Sequence, residues 1–236
     1  MEKLLLFDID GTLIDTEGAG LISLQKGMVT AFPELSGRAF PPLDLGGATD
    51  SSVVAFLFEA YGLENHFENQ TRFFDFYLIA LKEQLQVFEK EGKGRVLDGV
   101  VPLLQQLATC SHRWTLALLT GNTAHGARAK LSHYGVDHHF AFGAYGDDHA
   151  DRNELGPIAL RRAEKDHGLI FDSADVVVIG DTPKDVACAR AFGARVIAVA
   201  TGASSHQELA GVDPDILLKN FEDTDETLAA IEAVFG

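Results

Sequence analysis

Short, continuously apolar runs alternate with longer amphipathic stretches along most of this chain. The runs are Leu4–Ile9, Trp114–Leu119, Phe140–Tyr145, Val176–Ile179 and Val196–Ala200, with a weaker one at Ile216–Leu218. Between them, Val100–Thr109, Thr123–Tyr134, Leu155–His167 and Pro183–Phe192 carry apolar residues at helical spacing. Runs that are apolar at every position predict strands buried on both faces, and helices between successive strands predict parallel crossovers. The expected fold is therefore α/β, an open doubly wound parallel sheet. In such sheets ligands sit beyond the carboxyl ends of the strands.

One stretch departs from the alternation. From about Asp15 to Arg95 there are helical patterns and no convincing strand; Pro33, Pro41-Pro42 and Gly46-Gly47 punctuate its first half, and Ser51–Tyr61 and Thr71–Glu91 are amphipathic. Glu91-Gly92-Lys93-Gly94-Arg95 reads as a flexible return linker. The chain accordingly divides into an α/β core, residues 1–14 and 95–236, and a helical insert, residues 15–94, placed after the first strand. The alternative for the insert is a set of helices packed on the sheet edge.

Length and composition narrow the classes of function. The 236 residues suit one sizeable domain with a smaller insert, and 46% apolar with 23% charged residues is ordinary for a globular protein. A net charge of -16 argues against nucleic acid and anionic membrane surfaces as partners. Cys110 and Cys188, both in apolar helix-like stretches, read as reduced thiols. No run has the length of a membrane span, and Met1-Glu2-Lys3-Leu4 leads straight into a strand with no room for a signal peptide. A cytosolic protein is expected.

The candidate chemistry lies where strands end. The first run closes in Phe7-Asp8-Ile9-Asp10-Gly11-Thr12-Leu13. In extended chain the two carboxylates face one side, and Gly11 permits a sharp turn that brings backbone N–H groups near an anion. Another run ends Val176-Val177-Val178-Ile179-Gly180-Asp181-Thr182-Pro183-Lys184-Asp185. Here Pro183 suits a first helical turn, Asp181 falls where an N-cap would sit, and Asp185 lies on the same helical face. Carboxylates at a strand end suit Mg²⁺, a cation that prefers oxygen ligands. Leu118-Leu119-Thr120-Gly121-Asn122 brings a hydroxyl and an amide to a third strand end, before a helix whose N-terminus can hold phosphate. A cation is needed as well, and Arg152, in the loop Gly146–Glu154, is the candidate, with Arg161 and Arg162 as alternatives. Taken singly, each of these pieces also reads as helix capping or a surface ion pair. Together, at successive strand ends, they read as one site.

The ordered set Asp8-Ile9-Asp10-Gly11-Thr12-Leu13, Leu119-Thr120-Gly121-Asn122 and Gly180-Asp181-Thr182-Pro183-Lys184-Asp185 resembles the haloacid-dehalogenase-like superfamily, most of all its phosphoglycolate-phosphatase-type branch. The resemblance extends through Ala189–Ala194 to Thr201-Gly202. It implies a helical cap and a magnesium-dependent phosphohydrolase acting on a small phosphorylated metabolite. It also implies a role for each residue. Asp8 would be the nucleophile and Asp10 the acid and then the base. Thr120, Gly121 and Asn122 would hold phosphate. Asp8, the Asp10 carbonyl and Asp181 would hold Mg²⁺, with Asp185 as ligand or support. The third motif departs from the pattern, since Arg152-Asn153 stands where lysine and proline are usual. Asp10 favours phosphoryl chemistry over dehalogenation, and the absence of lysine between Lys26 and Lys82 speaks against phosphonate cleavage by a Schiff base. A sugar phosphomutase is the alternative within the superfamily. A non-enzymatic phospho-receiver is the alternative outside it, although that leaves Asp10 without a purpose.

Overall fold

The computed structural model describes residues 2–236. Six strands form one parallel sheet: β1 (Lys3–Phe7), β4 (Trp114–Leu119), β5 (Gly143–Ala144), β6 (Val176–Gly180), β7 (Arg195–Val199) and β8 (Ile216–Leu218), in the order β5-β4-β1-β6-β7-β8. The other two strands, β2 (Ile14–Asp15) and β3 (Arg95–Val96), pair antiparallel with each other. Among the described residues there are nine α-helices: α1 (Ala19–Ala31), α2 (Asp50–Tyr61), α3 (Phe67–Lys90), α4 (Val100–Thr109), α5 (Ala124–His133), α6 (Leu155–His167), α7 (Pro183–Ala191), α8 (His206–Ala210) and α9 (Thr224–Ala233).

Period-two alternation divides each apolar run between the two faces of the sheet. Leu5 and Phe7 of β1, with Val177 and Ile179 of β6, pack under α4, α5 and α9. Leu4 and Leu6, with Val176 and Val178, pack under α6 and α7. Every residue from Leu4 to Phe7 is fully buried, as expected of a central strand covered on both sides. Phe140–Tyr145 differs from expectation. The strand itself is only Gly143–Ala144, at the sheet edge; Ala141 and Phe142 still bond to β4, the Ala141 N–H donating to the Leu116 carbonyl at 3.1 Å and the Phe142 carbonyl accepting from the Leu118 N–H at 3.0 Å.

Between β2 and β3 the chain is helical, and α1 to α3 build a cluster of their own from residues such as Met28, Leu57, Phe58 and Phe73. These four are fully buried, at about 1.5–3 kcal/mol each. The sequence predicts no strand here, but at the two ends Ile14 pairs with Val96 and Asp15 with Arg95, a two-residue ribbon where the chain leaves and re-enters the core. Of the expected linker, Glu91–Gly94 joins α3 to β3 outside any helix or strand and Arg95 pairs. So short a strand has too few positions to show alternation. Helices α1 and α3 cross closely at Gly27, where a Cβ would lie 2.9 Å from the Tyr77 backbone. Gly27→Ala should therefore destabilise the protein by about 1–3 kcal/mol, read as a lower denaturation midpoint. An unchanged midpoint would mean that the helices separate freely there.

Candidate active site

Register assembles the site. Phe7, the last residue of β1, pairs with Leu118 on one side and Ile179 on the other, so three strands release their chains side by side. Asp8 continues the pairing by one residue, its N–H donating to the Ile179 carbonyl at 2.9 Å. The chain then turns: the N–H groups of Leu13 and Ile14 both donate to the Ile9 carbonyl, at 2.8 and 3.1 Å. Gly11 lies at φ +80°, in the left-handed region, and a side chain there would collide with the Asp181 carboxylate. The order of the sheet changes direction at β1, the usual crevice for a ligand.

Two groups of charged side chains lie at this crevice. The first is Asp8, Asp181 and Asp185, whose carboxylate oxygens lie within 4.8 Å of one another. Arg152 reaches both ends of it, 3.2 Å from Asp8 and paired with Asp185. Burial pushes Asp8 up to about 6, against the attraction of Arg152 and helped by repulsion from Asp185. Burial, then Asp185 and Asp8, push Asp181 up to about 8. Burial opposes the Arg152 charge too, but Asp185 and Asp8 outweigh it and hold the guanidinium above its ordinary value. Asp185 is fully engaged: besides Arg152 it accepts from the Thr182 N–H at 3.0 Å and the Thr182 hydroxyl at 2.6 Å. Among the described residues Asp181 accepts only from the Thr12 hydroxyl, at 3.0 Å. An all-oxygen donor set with negative charge beyond what one arginine offsets fits a hard divalent cation.

The second group centres on Asp10. Its carboxylate is held by Lys130 Nζ at 2.8 and 2.7 Å and by the Asn122 amide at 2.7 Å. Lys130 also donates to the Asn122 carbonyl oxygen at 2.6 Å, and the Asn122 amide donates to the Thr120 hydroxyl at 2.9 Å. Asp8 and Asp10, two residues apart, thus have separate surroundings, one against an arginine and two acids, the other against a lysine and an amide.

Thr120, Gly121, Asn122, Arg152, Asp8, Asp10 and Asp181 all line one cavity of about 450 Å³, with Asp185 beneath it. Of the alternative cations, Arg162 is paired with Asp148 and Arg161 is exposed, and neither lines the cavity. One expected cap needs correction: Thr182, not Asp181, caps α7, in a capping box with Asp185. The plain capping alternative for the loop after β4 also falls away, since Thr123 caps α5. In both helices the cap falls one or more residues later, which leaves the strand-end side chains facing the crevice. Cys188 is buried with its thiol donating to the Arg152 carbonyl, and neither cysteine is in a disulfide.

Lys130 escaped sequence reading. The signal was its position on α5, where the buried face is Gly126, Ala127, Lys130 and Leu131. A lysine in an apolar stripe, 4% exposed, needs a buried partner. Two charged residues between β2 and β3 have different places. Asp50 lines the cavity and accepts from the Thr123 N–H at 2.8 Å, while Arg72 lies over the Phe32 ring, outside it.

A doubly wound sheet with clustered carboxylates, a buried lysine and a buried arginine at its switch point has the makeup of an α/β enzyme. The haloacid dehalogenase-like hydrolase family matches residues 2–193, and the chain belongs to that family. Its relatives include a protein of Dickeya dadantii named as a probable phosphatase, IndB, 28% identical over 94% of this chain and 92% of that one. Another is the phosphoglycolate phosphatase of Photorhabdus laumondii, 23% identical over 96% and 92%. Among solved structures, a hydrolase from Pseudomonas syringae shares the fold with a TM-score of 0.67, at 22% identity over 98% of this chain and 99% of that one. Membership of a hydrolase family sets the phospho-receiver alternative aside. Among the described residues no helix is long and apolar enough to cross a membrane.

Proposed function

We propose that this enzyme hydrolyses small phosphomonoesters through a phosphorylated Asp8, with Mg²⁺ as cofactor, in a reducing cytosolic setting. The observation that carries the reading is the separation of Asp8 from Asp10: one carboxylate faces Arg152, the other Lys130 and Asn122. Such separation suits two different tasks. In the first step an Asp8 oxygen attacks phosphorus, the bond to the ester oxygen breaks, and Asp10 gives that oxygen a proton. In the second, Asp10 takes a proton from water as the water displaces Asp8 from phosphorus. The Thr120 hydroxyl, the backbone at Gly121 and Asn122, and Arg152 would surround the transferring group and offset its charge. Lys130 and Asn122 would keep Asp10 turned toward the ester oxygen.

Asp8 and Asp181 would hold Mg²⁺ together with the Asp10 carbonyl, with Asp185 supporting through Thr182 and Arg152. When bound, the ion would supply positive charge against the phosphate and the carboxylates. Residues 15–94 are read as a cap over the core formed by 1–14 and 95–236, excluding water during the reaction. The test is release of inorganic phosphate from a panel of phosphomonoesters with and without excess chelator. Activity should need Mg²⁺. Asp181→Ala should lose more than Asp185→Ala, since a ligand matters more than its support. Equal rates with chelator present would end the metal assignment.

A further inference from the structure

We infer that the alcohol half of the substrate carries no negative charge and binds by donating hydrogen bonds, so that carboxylate-bearing and bisphosphorylated esters are poor substrates. This rests on the reading of the site as a phosphomonoesterase. The cavity wall contains five carboxylates, Asp8, Asp10, Asp15, Asp50 and Asp181, against two cations, Lys130 and Arg152. Lys130 is committed to Asp10 and Asn122, and Arg152, bound to Asp8 and Asp185 through one terminal nitrogen, is assigned with its remaining donors to the phosphate. A divalent ion and a phosphate dianion would roughly cancel, leaving the excess of negative charge in place. Lys184 lies outside the wall, 3.8 Å from Asp44. A second anion on the substrate would therefore meet like charge and no free partner.

The part of the wall beyond the phosphate site offers acceptors instead. Asp50 receives the Thr123 N–H on one oxygen, and its other oxygen has no partner among the described residues. Tyr77, only 2% exposed, also lines the cavity, and among the described residues its hydroxyl makes no hydrogen bond. Leu21, Leu24 and Val53 supply an apolar side to the same space. The hydroxyl is reached from the cavity and can donate to or accept from a ligand there. Acceptors beside an apolar wall suit a short carbon chain ending in a hydroxyl or ammonium group.

Three two-carbon esters of matched shape test this: 2-hydroxyethyl phosphate, 2-aminoethyl phosphate and 2-phosphoglycolate, with nitrophenyl phosphate as reference. Kinetics of the full chain with Mg²⁺ should give at least one of the first two a kcat/KM about 10-fold or more above 2-phosphoglycolate. Which of the two is preferred tells a hydroxyl donor from an ammonium donor. Tyr77→Phe should lower kcat/KM on the preferred ester by about 10-fold, with a smaller loss on nitrophenyl phosphate. Preference for 2-phosphoglycolate, or an equal loss on both esters in Tyr77→Phe, would overturn the inference while leaving the phosphomonoesterase standing. Failure to hydrolyse any of the four would remove both.

Discussion

An Asp8→Ala enzyme is expected to have no measurable turnover of any phosphomonoester, a loss on the order of 10⁴-fold or more. Asp10 cannot take over, because its carboxylate is tied to Lys130 and Asn122. Asp181 is held by Thr12, and Asp185 is closed off by Thr182 and Arg152. The loss should not come from unfolding. Burial raises Asp8 to about 6, so its carboxylate is a poorly accommodated charge, and deleting it relieves repulsion from Asp185. Without metal, the melting temperature of Asp8→Ala should equal or exceed that of the unsubstituted protein. Turnover approaching the unsubstituted enzyme would show that the attacking group lies elsewhere. A collapsed melting temperature would show that Asp8 is chiefly structural.

The sheet was legible because a parallel strand covered on both faces has no polar positions to confuse its pattern. Trp114–Leu119 and the helices Val100–Thr109 and Leu155–His167 have the bounds expected from sequence. The strand-end motifs were legible for a related reason: an acid directly after a buried run has few places to go but the crevice. Contacts between distant segments were harder to read. The β2–β3 ribbon joins Ile14 to Val96 across the whole insert, and no local pattern announces such a pair. Lys130 is 120 residues from Asp10, and its meaning depends on which face of α5 meets the core. Asp50 likewise becomes part of the site only because the Asp50 N–H donates to the Gly121 carbonyl at 2.7 Å, docking the insert onto the loop after β4. Charge on a helix can be assigned a role only once its buried face is known, and for α5 that face includes a lysine.

Asp10→Asn should separate the two half-reactions. The amide oxygen can still accept from Lys130, so the side chain keeps its place while losing its acid and base functions. Nitrophenolate leaves without being protonated, and the first step, attack by Asp8 with loss of the aryl oxygen, should proceed with nitrophenyl phosphate. The second step still needs a base to take the proton from water, and phosphorylated enzyme should accumulate. The expected trace is a rapid release of about one nitrophenol per active site, followed by slow turnover. Alkyl phosphomonoesters, whose leaving oxygen must be protonated, should give no such burst. Mass spectrometry of the quenched protein should place the phosphoryl group on the peptide that contains Asp8. A burst with alkyl esters would mean that Asp10 is not the acid, and steady turnover of nitrophenyl phosphate at the original rate would mean that it is not the base. A label on any other peptide would contradict the covalent mechanism itself.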